Sequence, residues 1–287
     1  PTLSSPGIGS GLDVNAIVSQ LVAVESRPLS QLRTAASKIE TTISTYGKLN
    51  SLVSDLQSKA EKLGEPALWK GMSASSSNEA ALSVTSSSAQ AAAGRYSIEV
   101  SQLAQAQSLA SDAWSGADAV VGGGTLKIEL GRWDNASAPG SFTPRTGSDA
   151  VSLDIPAGAT LAEVRDLING ADAGVRASLV TDAQGTRLTL TAADTGLDHQ
   201  LRISASDLEA GSELGRLAFA PDQGGSGLTQ TQSAQNAQAT INGLAVSANG
   251  NTLDNVIDGL TLQLNQVTDP GKPVQVDVGA DSQAARA

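Results

Sequence analysis

The chain has one histidine, His199, and that is the first place to look for proton chemistry. It follows Asp198, and a carboxylate beside an imidazole is the orienter–base half of a nucleophilic triad. The segment Thr195-Gly-Leu-Asp-His-Gln200 reads as an exposed turn before a strand and nominates no nucleophile. Asp166, Asp172 and Asp182 raise the question of calcium, but they lack the alternating D-x-D-x-D-G spacing of a loop site. They read as solvated surface carboxylates. Gly7, Gly9 and Gly11 precede a helix, as in a phosphate-binding loop, yet no strand leads into them and the third spacing is wrong. Asn135-Ala-Ser137 matches a glycosylation acceptor, which short tripeptides do by chance. Trp114 and Trp133 could stack on sugars or anchor an interface. With 2% aromatic residues in all, a lectin-like platform is not expected. An enzyme, a glycosidase using two of the carboxylates, is the weakest reading, and the expectation is no enzyme and no cofactor.

Composition narrows the field further. No cysteine means no disulfide, no thiolate zinc site and no cysteine nucleophile. One histidine excludes two-histidine metal motifs. The 29 acidic residues exceed the 18 basic ones, giving a net charge of -11, where a nucleic-acid binder needs a basic footprint. No run approaches the ~20 apolar residues of a membrane span. The start, Pro1-Thr2-Leu3-Ser4-Ser5, has neither the basic nor the apolar region of a cleaved signal peptide. It also lacks a Met, so a processed chain or a piece of a longer one is expected.

The elements that would position any site fall into two textures. Asp13 is a good N-cap, and Val14, Ile17, Val18, Leu21 and Val22 follow at helical spacing. Pro28 should end or bend this helix, with Ser26 capping a second one that runs to Leu63. Gly64 and Pro66 then stop it. Leu32, Ile39, Tyr46, Val53 and Ala60 occupy one heptad position; Ala35, Thr42, Leu49, Leu56 and Leu63 occupy the other. Thr42 is the weak point, and Ile43 stands beside it. This predicts a coiled-coil-like rod of roughly 54 Å. One apolar seam on one helix is marginal in water, so a partner is required.

After Trp69 the hydrophobic period changes to two. Tyr96/Ile98/Val100, Leu126/Ile128/Leu130, Val151/Leu153/Ile155, Val175/Ala177/Leu179, Leu188/Leu190, Leu201/Ile203, Leu260/Leu262/Leu264 and Val274/Val276/Val278 each read as a half-buried strand. Asp182 to Gly185 reads as a hairpin turn, and residues 73–77 and 86–88 as polar loops. Residues 160–170 and 252–259 share T-L-x-x-V-x-D and predict two short helices packed on a sheet. Gly122, Gly123 and Gly124, and Gly224, Gly225 and Gly227, read as linkers around an insertion. The expected fold is α+β: a helical stalk in residues 1–70, a strand-rich head domain from residues 71–113 plus 233–280, and a second head domain, residues 114–232, inserted in it.

The segment Gly7-Ile-Gly-Ser-Gly-Leu-Asp-Val-Asn-Ala-Ile-Val-Ser-Gln-Leu21, followed by Glu25 and Pro28, closely resembles the N-terminal signature of the flagellar filament capping family, hook-associated protein 2. The signature residues here are Gly7, Gly9, Gly11, Leu12, Asp13, Ile17, Leu21, Glu25 and Pro28. Residues 94–105 and 240–262 resemble strands of the same family, and residues 160–170 resemble a motif shared by flagellin and hook proteins. The resemblance implies a stalk with two strand-rich heads, a homo-oligomeric ring at the distal flagellar tip, and guidance of flagellin into the filament. It implies secretion without a cleaved signal, and contacts with other hook-associated proteins or host surface glycans. The family continues into a C-terminal helical half, so this chain is expected to be truncated before it. A surface adhesin on the same β-rich body is the alternative. Residues 1–65 carry six basic and six acidic residues; the other 12 basic and 23 acidic residues lie in 66–287. The charge excess therefore belongs to the expected head.

Overall fold

A computed structural model describes residues 13–65, 69–134 and 140–281. Gly7, Gly9, Gly11 and Leu12 of the signature, and Asn135-Ala-Ser137, lie outside the described residues. The chain divides into two compact units, Pro1–Trp69 and Lys70–Ala287.

The first unit is built on one helix, α1, Val14–Leu63, of 50 residues. Asp13 caps it, accepting a 3.0 Å hydrogen bond from Ala16 N through Oδ1. At the other end Gly64 N donates to the carbonyls of Ala60 and Glu61, and the Trp69 indole N–H donates to Leu63 O at 2.7 Å. These bonds satisfy carbonyls that the last turn leaves open. The expected break at Pro28 is absent: Pro28 lies inside a continuous helix. The ring removes one N–H and crowds the carbonyl four residues back. The turns on either side hold the path. Ser26 Oγ does not cap a new helix but bonds back to Ala23 O at 3.1 Å, and Ser30 Oγ to Arg27 O at 2.8 Å.

In the second unit the described strands form four antiparallel sheets around two apolar cores. A five-stranded sheet has the spatial order Met72–Ser76, Val274–Ala280, Gly94–Gln102, Ala237–Ile241, Leu244–Ala248. With a three-stranded sheet of Thr252–Ile257, Leu260–Leu264 and Leu82–Ser87 it encloses Leu82, Ile98, Val100, Leu262 and Val276. These strands make a flanking lobe, drawn from both ends of the unit. Between them in sequence lies an inserted lobe. Its six-stranded sheet centres on Gly124–Trp133 paired with Gln200–Ser206; Phe142–Pro144 and Val151–Ile155 share the other edge of Gly124–Trp133. Its four-stranded sheet runs Leu228–Gln232, Ser108–Ser111, Gly185–Ala192, Val175–Asp182. The helix α2, Leu161–Gly170, buries Leu161, Val164 and Ile168 in the core of this lobe.

Each alternating segment read as a strand is one, and Asp182 pairs with Gly185 across the expected hairpin. Three local expectations change. Residues 73–77 and 86–88 are not loops: Met72–Ser76 and Leu82–Ser87 are strands, held through backbone pairing with Val274–Ala280 and Leu260–Leu264. Serine-rich strands bury little, so no apolar alternation announces them. Residues 252–257 form a strand and not the second short helix. At α2 the Thr160 hydroxyl accepts from Glu163 N while Glu163 accepts from Thr160 N, a closed capping box. Three residues after Thr252 stands Asn255, which cannot close the box. It sits instead at φ 56° in a bulge, while Leu253 and Ile257 enter the flanking core. Of the glycines read as linkers, Gly122, Gly123, Gly124 and Gly227 are packing positions, while a Cβ on Gly224 would meet open space. A Cβ on Gly122, at φ 93°, would come within 2.7 Å of Ser212 Cα, and one on Gly227 would overlap Arg216 O. Among the described residues no helix is long and apolar enough to cross a membrane.

A candidate packing stripe on the long helix

No described residue of α1 is buried within this chain. Its apolar side chains nevertheless fall on one winding face. At ~100° per residue, Ile17, Leu21, Glu25 and Pro28 project on the same side as Leu32 and Ile39. The described signature residues and the heptad seam are thus one continuous stripe, with Asp13 capping its start. Leu32 is 68% exposed and Tyr46 70%. Leu49, Val53, Leu56 and Leu63 continue the stripe, exposed by half or more except Leu63, at 46%. Near the start, Ile17, Val18, Leu21, Val22, Glu25, Ser26 and Leu29 line a shallow groove of ≈ 480 Å³. A seven-residue repeat drifts ~20° per heptad on a straight helix, so this face asks for a left-handed wrap of helices. Thr42 interrupts the seam less than its type suggests. Its hydroxyl bonds back to Lys38 O at 2.8 Å, and Ile43 beside it is 65% exposed. Covering a leucine or isoleucine here contributes about 1.5–3 kcal/mol. The stripe therefore presents a row of side chains whose covering would be favourable.

The residues that could do chemistry are placed for structure. His199 is not on an exposed turn: its side chain is 12% exposed, and Nδ1 stands 2.7 Å from Thr195 O. Asp198 does not orient it. That carboxylate accepts the Asn249 amide at 2.7 Å and lies 3.8 Å from Arg132. Asp166 pairs with Arg165 at 2.8 Å, Asp182 caps its hairpin by accepting from Gln184 N, and Asp172 takes a positive φ in a turn. Among the described residues no cluster of His, Cys, Asp and Glu could hold a metal ion.

Trp114 and Trp133 are core residues, not a binding platform. Trp133 donates to Leu201 O at 3.1 Å and meets Phe142 and Phe219 with ring centroids 4.8 and 6.2 Å away. Arg216 lies 3.9 Å over the Trp114 ring. In a chain so poor in aromatics these rings are needed inside. Over Phe142 sits Arg202, bonded to Glu129 at 2.7 Å and Asp222 at 3.1 Å. Burial works to raise the Glu129 pKa, but hydrogen bonds and charge from Lys127 and Arg202 outweigh it and hold the carboxyl below its ordinary range. Hydrogen bonds from the Thr160 backbone and hydroxyl likewise lower Glu163.

Comparison with known proteins identifies relatives for most of the chain. Family models match as the flagellar hook-associated protein 2 N-terminus over residues 10–107 and C-terminus over 234–287. The flagellin hook IN motif matches residues 141–194, which contain α2. The chain is 35% identical over 289 residues to the A-type flagellar hook-associated protein 2 of Pseudomonas aeruginosa, covering 96% of this chain and 57% of that one. It thus spans little more than half of that relative's length. The crystal structure of the D2-D3 domains of the flagellar cap protein FliD from Escherichia coli matches with a TM-score of 0.63 and 30% identity, over 74% of this chain and 100% of that one. The D1-D2-D3 structure from the same organism gives a TM-score of 0.66 at 30% identity, over 85% of this chain and 64% of that one.

Proposed function

The chain belongs to the flagellar hook-associated protein 2 family, and on that footing we propose that it is part of the structural cap at the distal tip of a bacterial flagellum. It works outside the cell, as a secreted ring of identical copies, and helps flagellin enter the filament without being lost. The role is mechanical and needs no bond chemistry or cofactor. Residues 1–70 act as the stalk, residues 71–113 with 233–280 as one head domain, and residues 114–232 as the head inserted in it. Leu32, Ile39, Tyr46, Leu49, Val53, Leu56 and Leu63 pack the stalk against helical partners. The signature from Gly7 to Pro28 contacts neighbouring subunits and the filament. Flagellin is the principal partner, with other hook-associated proteins at the tip.

One observation carries the reading: a 50-residue helix with a continuous apolar stripe and no buried residue. Such a face costs solubility unless an assembly covers it. The test uses the full-length gene in a deletion strain. Carrying Leu49→Asp with Leu56→Asp, it is expected to leave cells non-motile and flagellin monomers in the medium. Asp172→Asn, at an exposed turn position with φ 50° that asparagine also adopts, should restore motility fully. Normal filaments from the double aspartate variant would sink the proposal.

A further inference from the structure

The flanking and inserted lobes are joined covalently where the chain crosses, at residues 104–107 and 232–236. The two crossings lie side by side. Gln105 N donates to Gln235 O at 2.9 Å, and Gln235 N returns a bond to Gln105 O at 3.2 Å. A pair of adjacent crossings makes a hinge line. By itself it fixes a position and leaves rotation about that line open. A third contact must set the angle.

We propose that the loop of residues 194–199 and the turn at Asn249 are a latch that fixes the angle between the lobes. The loop belongs to the inserted lobe and reaches the flanking one through several bonds. Gly196 N donates to Gln105 O at 3.1 Å, and Leu197 N to the Asn236 side chain at 2.7 Å, both on the crossings. Away from the crossings, Thr195 Oγ1 donates to Asn249 O at 2.8 Å, and Asn249 Nδ2 donates to Asp198 Oδ2 at 2.7 Å. Gly196 lies at φ 99°, and a Cβ there would come within 2.6 Å of Asn249 Cα and Cβ. Only a bare backbone lets the two segments meet. His199 supports the loop from within, through Nδ1 and Thr195 O. Asn249 is pinned on its own side as well: two residues on, Asn251 accepts from Ala104 N at 2.7 Å and donates to Ala104 O at 3.0 Å. Among the described residues the buried Asn249 Oδ1 has no hydrogen-bond partner. Among those residues the amide is held through its donor side, by Asp198.

Gly196, Asp198 and Asn249 are positioning residues under this inference, which stands whether or not the chain caps a filament. The chain has no cysteine, so introduced labels report only the chosen sites. Val180→Cys in the inserted lobe and Leu244→Cys in the flanking lobe are exposed positions for a spin-label pair. The distance distribution should be single and narrow in the labelled parent. Gly196→Val should broaden it or add a second distance. Asn249→Asp, which sets a carboxylate against Asp198 and leaves the backbone free, should do the same. Emission from buried Trp133 and Trp114 reports that the inserted lobe stays folded. If Gly196→Val disturbs that emission, Asn249→Asp carries the test. A broad distribution in the parent, or an unchanged narrow one in Asn249→Asp, overturns the latch.

Discussion

Glu129 and Arg202 show what charge does in this molecule. Their side chains are 10% and 15% exposed, so each depends on the other's charge. Arg202→Met leaves Glu129 with Lys127 alone and should cost on the order of 3 kcal/mol of stability in urea unfolding at neutral pH. The folded carboxyl titrates below its unfolded value. Its stabilisation is therefore present above the ordinary carboxylate pKa and is lost as pH falls from there through the lowered folded value. Glu129→Gln should flatten the acid side of the stability profile; a profile as steep as the parent's would contradict the assignment. Residue type alone did not reveal this pair. Glu129 reads as one more outward residue on an alternating strand, and Arg202 lies 73 positions away. Distance in sequence also hides the partners of Gln107, which is fully buried and accepts from Leu201 N, 94 positions away, at 2.6 Å. The environment of His199 was not legible: the exposed turn expected there is a 3-10 turn whose histidine side chain is 12% exposed. The residues beside it, among them Gly131, Thr143 and Asn249, are distant in sequence.

At the scale of elements, apolar spacing did most of the work. Alternation located the strands, and the heptads located the stripe on α1. The misreadings came where a local signal met a stronger neighbour. Pro28 was expected to divide the helix, and the turns around it carry the helix through. The residual cost of an interior proline is about 3 kcal/mol. A peptide of residues 13–65 with Pro28→Ala should therefore show greater helical ellipticity and a higher melting temperature than the parent peptide. Equal curves would mean that the proline is not strained in the helix. The T-L-x-x-V-x-D pair teaches the same lesson in reverse. Two similar segments differ at one decisive position, Glu163 against Asn255. The glutamate closes a helix start, and the asparagine supplies a positive φ for a bulge.

For the whole molecule, the division of labour follows charge and period. Residues 1–65 taken together are net neutral, and the net charge of -11 lies entirely in residues 66–287. An acidic body resists non-specific association, while the long helix, with six basic and four acidic residues, carries none of that acidic excess. The α+β character and the family were legible from the chain itself, from its change of hydrophobic period and from the Gly7-to-Pro28 signature. What no linear reading supplies is the contact of residues 194–199 with Asn249, because it depends on a glycine backbone and on loops from separate lobes.

The nested topology also imposes an order in time. Arg95 and Asp277, paired across the flanking sheet, are 182 residues apart. Closing so long a loop from an open chain is entropically expensive and slow. The inserted lobe removes most of that expense once folded, because it delivers Gln105 and Gln235 already paired. It should act as a clasp that must shut before the flanking sheet can form. Pulsed hydrogen exchange during refolding should then protect amides of Gly185–Ala192 and Gln200–Ser206 before those of Gly94–Gln102 and Val274–Ala280. Met72–Ser76, whose one sheet partner among the described strands is Val274–Ala280, can then join only after Val274–Ala280 has found its place beside Gly94–Gln102.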